Sequence, residues 1–272
     1  MYVGIDVGGS KTLVAVFSNK GKVSDEVKFP TPKKYPDFLD QLREVFKQKE
    51  FQNNIKAVCC AVPGTIDREH GVGKTFGNLP WKNVQIKRDL EKIFNYIPVF
   101  TENDAKLAGV YEAAVLKGWY KKIVYITIST GIGAGVIVDG KIDPVLADSE
   151  VGFMLIDHNG RLEKWEDFAS GRALVKKYGK KASEIDDPKI WEEYAKLVSP
   201  GIDAILAVVQ PEAIVIGGGV GAHLEKFKPF LVSDMKKRYE NKLVHIPPII
   251  KAQRAEEAAI YGCYEYIHQN IA

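Results

Sequence analysis

Residues 4–17 read GIDVGGSKTLVAVF and residues 122–138 read KIVYITISTGIGAGVIV. Each stretch sets a glycine turn bearing Ser, Thr or Lys between two apolar, β-branched runs. The second starts roughly 120 residues after the first, about the length of one small α/β domain. Most glycine-rich phosphate loops lead from a strand into a helix, whose N-terminus offers aligned N–H groups. Here Thr12, Leu13, Val14, Ala15, Val16 and Phe17 follow the first loop, a run of poor helix propensity, so the loop reads as a hairpin turn and not as a dinucleotide or Walker loop. One such turn holds phosphate weakly. Two that converge hold a polyphosphate between them through backbone N–H groups, with Ser10, Lys11, Ser129 and Thr130 adding donors. The expectation is an α/β chain of two similar domains whose loops face each other across a cleft.

The segments around the hairpins fit that plan. A third strand is predicted over residues 22–29, and a helix over 36–49 with Phe38, Leu39, Leu42, Val45 and Phe46 on one face. A strand at 55–62, a helix at 86–94, a strand at 98–102 and an alanine-rich helix at 105–116 follow. After the second hairpin come a long helix (191–209), a buried-type strand (213–216) and a glycine cluster. A helix through 235–239, a short strand around 244–246 and a closing helix over 255–267 complete the reading. With 272 residues, 46% of them apolar and 27% charged, the chain has the make-up of a soluble globular protein. A formal charge of +3 is too small to argue for nucleic acid or an anionic membrane. Cys59, Cys60 and Cys263 form neither a disulfide framework nor a CxxC metal motif, which suits a reducing compartment. A strand begins at Tyr2, so no signal peptide is expected, and no apolar run approaches the roughly 18–20 residues of a membrane span. A cytoplasmic protein follows.

Asp6 interrupts the apolar run of the first strand beside its glycines. A carboxylate there is costly to bury without a partner, and a Mg²⁺ near phosphates is one such partner. The competing reading is an exposed-face Asp opposite Ile5 and Val7 in an alternating strand. Asn103 and Asp104 stand where a strand passes into a helix. Asp104 is there either a helix N-cap or a general base at the strand end where open α/β sheets bind ligands. Residues 217–222, GGGVGA, match the letter of a dinucleotide fingerprint but lack the acidic residue after a second strand; they read as a close backbone approach to a flat group such as adenine. Gly73-Lys74-Thr75 has Arg68 where a Walker glycine is required, and His70, His158, His223, His245 and His268 show no metal spacing.

Asp6-Val-Gly-Gly-Ser-Lys11, Val62-Pro-Gly64, Asn78-Leu-Pro-Trp81, Glu102-Asn-Asp-Ala105, Ser129-Thr-Gly-Ile-Gly-Ala-Gly135, Glu150-Val-Gly152, Ala169-Ser-Gly171 and Ile216-Gly-Gly-Gly219 occur in this order. Together they resemble the ROK family (repressor, open reading frame, kinase), most closely its glucokinase-like sugar kinases. The resemblance implies the actin-like ATPase fold of two ribonuclease-H-like domains, here residues 1–108 with 256–272 and residues 109–255, with ATP and Mg²⁺ in the cleft. It makes Asp104 the general base on a hexose hydroxyl, usually the 6-hydroxyl. Gly64, Asn78, Asn103, Glu150 and Glu166 match positions that line the sugar. Gly8, Gly9, Ser10, Lys11, Thr130, Gly131 and Gly133 match the phosphate loops, Gly218 and Gly219 the adenosine side, and Asp6 the metal position. It also implies a homodimer as an option, since dimers are frequent among related proteins.

Two departures stand out. The family usually reads Glu-x-Gly-His where this chain has Glu150-Val151-Gly152-Phe153, and it carries a cysteine-rich zinc loop where this chain has cysteine-free residues 158–166. No structural zinc is expected, and the sugar face near its 1- and 2-hydroxyls must be recognised differently. The expected activity is ATP-dependent phosphorylation of a hexose such as glucose. An N-acetylglucosamine or N-acetylmannosamine kinase and a catalytically idle sugar sensor are the alternatives. A sugar-responsive repressor requires a DNA-binding domain ahead of the first strand, so nucleic acid is not an expected partner.

Overall fold

The computed structural model describes residues 1–48, 54–239 and 245–271. It divides into two compact units, Met1–Tyr111 with Glu257–Ala272, and Glu112–Glu256.

In the first unit the run YVGIDV forms β1 (Tyr2–Val7), KTLVAVF forms β2 (Lys11–Phe17), and β3 (Val23–Pro30) lies beyond β2. Helix α1 (Tyr35–Phe46) has Pro36 in its first turn, where the missing N–H costs nothing, and buries Phe38, Leu39, Leu42 and Val45 at helical spacing. The helix stops short of the predicted end: residues 47 and 48 form a turn and a bend, and residue 49 lies outside the described residues. Strand β4 (Ala57–Val62) is buried throughout, and β5 (Ile66–Asp67), β6 (Val72–Phe76) and β7 (Leu79–Val84) then form a small separate antiparallel sheet. Helix α2 (Ile86–Ile93), β8 (Val99–Asn103) and α3 (Asp104–Val115) follow.

The main sheet has the order β3-β2-β1-β4-β8, with β1 antiparallel to β2 and parallel to β4, and β4 parallel to β8. Both its faces are covered. Val3, Ile5 and Val7 join Val58, Cys60, Val62, Phe38 and Leu42 on one side. Tyr2, Ala15, Phe17, Cys59 and Ala61 meet Ile260, Cys263 and Ile267 of the closing helix on the other. A strand buried on both faces reads as a continuous apolar run. The alternating strand with a solvent face, which would explain Asp6 trivially, is therefore not what β1 is.

The second unit repeats the plan. Strands β9 (Lys122–Ile128), β10 (Ile132–Val138) and β11 (Lys141–Ile142) form an antiparallel meander. A hairpin of β12 (Leu155–His158) and β13 (Arg161–Lys164) leads into α4 (Trp165–Ala169) and α5 (Gly171–Tyr178). The long α6 (Pro188–Val209) is capped by the Asp187 side chain, which accepts from the Lys189 N–H at 2.9 Å. Then come β14 (Ala213–Gly217), α7 (Gly218–Gly221), α8 (Leu224–Tyr239) and β15 (Ile249–Lys251), before α9 (Ala258–Ile271) returns to the first unit. The sheet order β11-β10-β9-β14-β15 matches the first sheet position for position.

The strand expected around residues 244–246 is corrected. Residue 244 lies outside the described residues, His245 and Ile246 belong to no strand, and the pairing with β14 begins at Ile249. The reason is Pro247-Pro248, two residues with no N–H to give a sheet ladder. No described helix is long and apolar enough to cross a membrane.

Candidate active site

In the first unit the singled-out residues gather at the carboxyl ends of parallel strands, the edge where open α/β sheets bind ligands. The register sets Asp6 of β1 beside Ala61 of β4, and Ala61 beside Glu102 of β8. Gly8 to Lys11 follow Asp6 as a turn closed by the Gly8 N–H on the Lys11 carbonyl at 3.0 Å. Gly64 follows β4, and Asn103 and Asp104 end β8 and open α3. Exposed Asn78, in the turn between β6 and β7, comes beside Gly9; a methyl added at Gly9 would lie 3.6 Å from the Asn78 Cβ.

The choice between cap and base at Asp104 is sharpened by its neighbour. The Asn103 side-chain oxygen accepts from the N–H groups of Ala105 at 3.0 Å and Lys106 at 3.2 Å, while its amide donates to the Gly64 carbonyl at 3.0 Å. Asn103 is thus the cap of α3, with one amide hydrogen remaining for a ligand. Asp104, half-buried, has one oxygen on the Ala105 N–H at 2.8 Å and is released from the capping role. Its charge reaches Asp6. Burial first, and then the Asp104 carboxylate, pushes the Asp6 carboxyl up to about 7.

Among the described residues no group of three or more His, Cys, Asp or Glu side chains is arranged to hold a metal ion. Magnesium does not need such a cage. It keeps several waters and binds through one or two carboxylates plus phosphate oxygens, so Asp6 fits a hydrated Mg²⁺ on a nucleotide. Zinc fits poorly. The cysteine-free segment is a hairpin with four cross-strand pairs, turned at Asn159-Gly160, in which the His158 ring stacks on Phe168 with centroids 4.4 Å apart. His158 Nδ1 lies 3.0 Å from a Glu163 oxygen, so backbone ladder and ring packing do the bracing there.

In the second unit the β9–β10 turn is closed by the Ser129 N–H on the Gly131 carbonyl at 2.9 Å, and the Gly171 N–H at the start of α5 donates to the Ser129 carbonyl at 2.7 Å. Thr130 is exposed at the tip, and Gly131 and Gly133 are half-buried. Glu166 accepts from the Ile132 N–H at 3.3 Å, and a side chain at Gly131 would strike its carboxylate 2.6 Å away. Glu166 therefore braces the turn itself. Glu150, half-buried, precedes the short helical turn Val151–Phe153. Gly218 adopts φ +82°, and a side chain there would meet the Ile128 carbonyl at 2.5 Å, which is a folding reason for that glycine. Gly219 has no such reason, since a methyl there meets only a Glu256 oxygen at 3.4 Å. Of the pair, Gly219 is the one whose missing side chain the surrounding fold does not require.

The ROK family model matches residues 2–270. The chain belongs to the ROK family. Relatives named as sugar kinases and one named as a xylose repressor are among the chains it resembles. This ROK chain is 29% identical to a putative fructokinase of Bacillus subtilis over 81% of its own length and 77% of the relative's. It is also 29% identical to an N-acetylmannosamine kinase of Salmonella typhi, over 85% and 88%. Its fold is that of the ROK glucokinase from Streptomyces griseus solved with glucose and AMPPNP, with a TM-score of 0.81, 20% identity and 99% of both chains covered. The duplicated sheet order of this ROK chain is thus the actin-like ATPase fold. What the residue patterns missed is the partner of Glu102, because Arg68 lies 34 positions earlier in the chain.

Proposed function

We propose that this chain is a cytoplasmic kinase that moves the γ-phosphoryl group of ATP to a hydroxyl of a hexose such as glucose, the 6-hydroxyl by preference. The observation that carries this reading is Asp104: a carboxylate at the ligand-binding end of β8, with the cap of α3 supplied by Asn103 and a glycine turn beside it. Asp104 orients the sugar hydroxyl and takes its proton as the oxygen attacks phosphorus. Gly8, Gly9, Ser10 and Lys11, with Thr130, Gly131 and Gly133 of the second unit, donate to phosphate oxygens, and Gly218 and Gly219 border the adenosine. Mg²⁺, when bound at Asp6, offsets charge on the phosphates. Gly64, Asn78, Asn103, Glu150 and Glu166 border the sugar, the last also through its hold on the β9–β10 turn.

The two glycines of the first turn separate folding from binding. A methyl at Gly8 would sit 2.7 Å from the Lys11 carbonyl and deform the turn, whereas at Gly9 it makes an ordinary contact. Gly9→Ala is therefore expected to melt as the parent does while losing about 10- to 100-fold in ATP affinity, the worth of roughly one charge-assisted hydrogen bond. Isothermal titration with ATP and Mg²⁺ checks this; unchanged affinity would remove Gly9 from the phosphate site.

A second reading concerns the sugar. Phe153 is 51% exposed, with the Lys164 ammonium 4.3 Å from its ring centroid. An apolar ring close in sequence to Glu150 suits a sugar with an acetyl substituent, such as N-acetylglucosamine or N-acetylmannosamine. Coupled ADP release across a panel of monosaccharides, with ATP and Mg²⁺, tests both readings. Hexose-stimulated turnover supports the first, and a higher kcat/KM for N-acetylated sugars supports the second. No stimulation by any sugar would refute the kinase reading.

A further inference from the structure

Glu102 carries a carboxylate that the proposed chemistry leaves unused. Its side chain is 1% exposed at the inner end of β8, one residue before Asn103 and two before Asp104. An ionised carboxylate in such a place demands compensation. It receives a two-pronged guanidinium: Arg68 Nε donates to Oε2 at 2.7 Å and Nη2 to Oε1 at 2.8 Å. Oε1 also accepts the Asn103 backbone N–H at 2.7 Å. One carboxylate therefore joins Arg68, in the turn between β5 and β6, to the peptide that presents Asn103 and Asp104.

The other links of that peptide run to the same layer. The Asn103 amide holds the Gly64 carbonyl, and Gly64, at φ +148°, packs against the backbone of Thr75 in β6. The small sheet that carries Asn78 is thus fastened to the end of β8 at two points, and Arg68 is the charged one. Tyr266 of α9 lies close by, its phenol pushed up to about 12 by burial first and then by the Glu102 charge.

We propose that Arg68 is a positioning residue for phosphoryl transfer: through Glu102 and the Asn103 amide it fixes the peptide that aims Asp104. The inference rests on the kinase reading above. Arg68 does not touch the reacting atoms, and its effect is geometric. A group near the chemistry released by about 1 Å costs on the order of 10²-fold in rate.

The test compares Arg68→Ala, Arg68→Lys and Glu102→Gln in the full chain with ATP, Mg²⁺ and the best hexose of the panel. Arg68→Ala is expected to lose about 10²-fold in kcat while KM for ATP moves less than about twofold. Arg68→Lys recovers part of the loss, because an ammonium is a point charge that does not span both oxygens. Guanidinium ion added to Arg68→Ala restores activity, since the Arg68 side chain is 30% exposed and its place is open to solvent. Should Arg68→Ala fail to fold, Glu102→Gln keeps the shape, halves the fork and shows the same loss in kcat. Amide exchange adds a second readout, with the Asn103, Ala105 and Lys106 amides faster in the variants and those of β10 unchanged. An active parent with Arg68→Ala at full kcat, or with a lowered melting point and an unchanged rate, overturns this inference alone. A parent inactive on every sugar overturns the kinase reading, and this inference falls with it.

Discussion

Asp104→Asn is expected to lose about 10²- to 10⁴-fold in kcat, the usual contribution of a positioned general base and equivalent to roughly 3–5 kcal/mol of barrier. The substitution keeps the side-chain oxygen that meets the Ala105 N–H and leaves the Asn103 cap untouched, so the opening of α3 retains its hydrogen bonds. ATP affinity should stay within about twofold, because no nucleotide contact is removed. Removing the charge also relieves Asp6, whose carboxyl Asp104 helps to raise, so the variant should melt no lower than its parent. Steady-state ADP release with saturating hexose, beside nucleotide titration, separates these effects. A variant that turned over at the parental rate would show that Asp104 is not the base.

The second large effect is on folding. Gly262 is buried in α9, and a Cβ there would overlap the Leu107 carbonyl of α3. The obstacle is helix backbone, which does not swing aside as a side chain does. Gly262→Val should therefore force α9 away from α3 and from the sheet face formed by Tyr2, Ala15, Phe17, Cys59 and Ala61. Overpacking of this kind costs about 3 kcal/mol or more, against a total stability on the order of 5–15 kcal/mol. Thermal unfolding followed by circular dichroism reads the loss directly. A midpoint within a few degrees of the parent would mean that α9 is not held against α3 as described.

Both hairpins were legible because the residues after each turn are β-branched or apolar, Thr12 to Phe17 without a break and Ile132 to Val138 interrupted by Gly133 and Gly135 alone, which leaves a strand as the economical reading. Helix α1 was legible by its spacing, since Phe38, Leu39, Leu42 and Val45 are the side chains it buries. The small sheet β5–β7 was not. Its strands bury every second or third residue and expose Lys74, Thr75 and Lys82, so it looks like loop until the Phe76 and Trp81 rings, 5.2 Å apart, are seen to hold it. Hairpin β12–β13 hid for a similar reason, with Leu155 and Leu162 facing outward.

At the site, chain order gave away what is local and concealed what is tertiary. Asp6 stood out as a charge in an apolar run, but only the helices on both faces of β1 remove the solvent-exposed reading. Asp104 was a candidate cap by type and position; that Asn103 takes the cap depends on a χ angle no pattern reveals. Gly217 and Gly218 each have a folding reason that the glycine pattern hides, because Tyr125 and Ile128 occupy the space a side chain would need. Arg68 had no sequence signature at all, because its partner is reached only after β6, β7, α2 and most of β8 have folded back.

Helix α9 carries a consequence for how the molecule is made. Residues 112–256 form an uninterrupted stretch with their own core, whereas the first unit takes one of its layers from a helix translated after that whole stretch. On the ribosome the unit synthesised first is thus completed last, and the side chains of Tyr2, Phe17 and Cys59 wait uncovered while the other unit closes. Chaperone dependence in the cell should therefore track the interval before α9 emerges, and not the length of the chain.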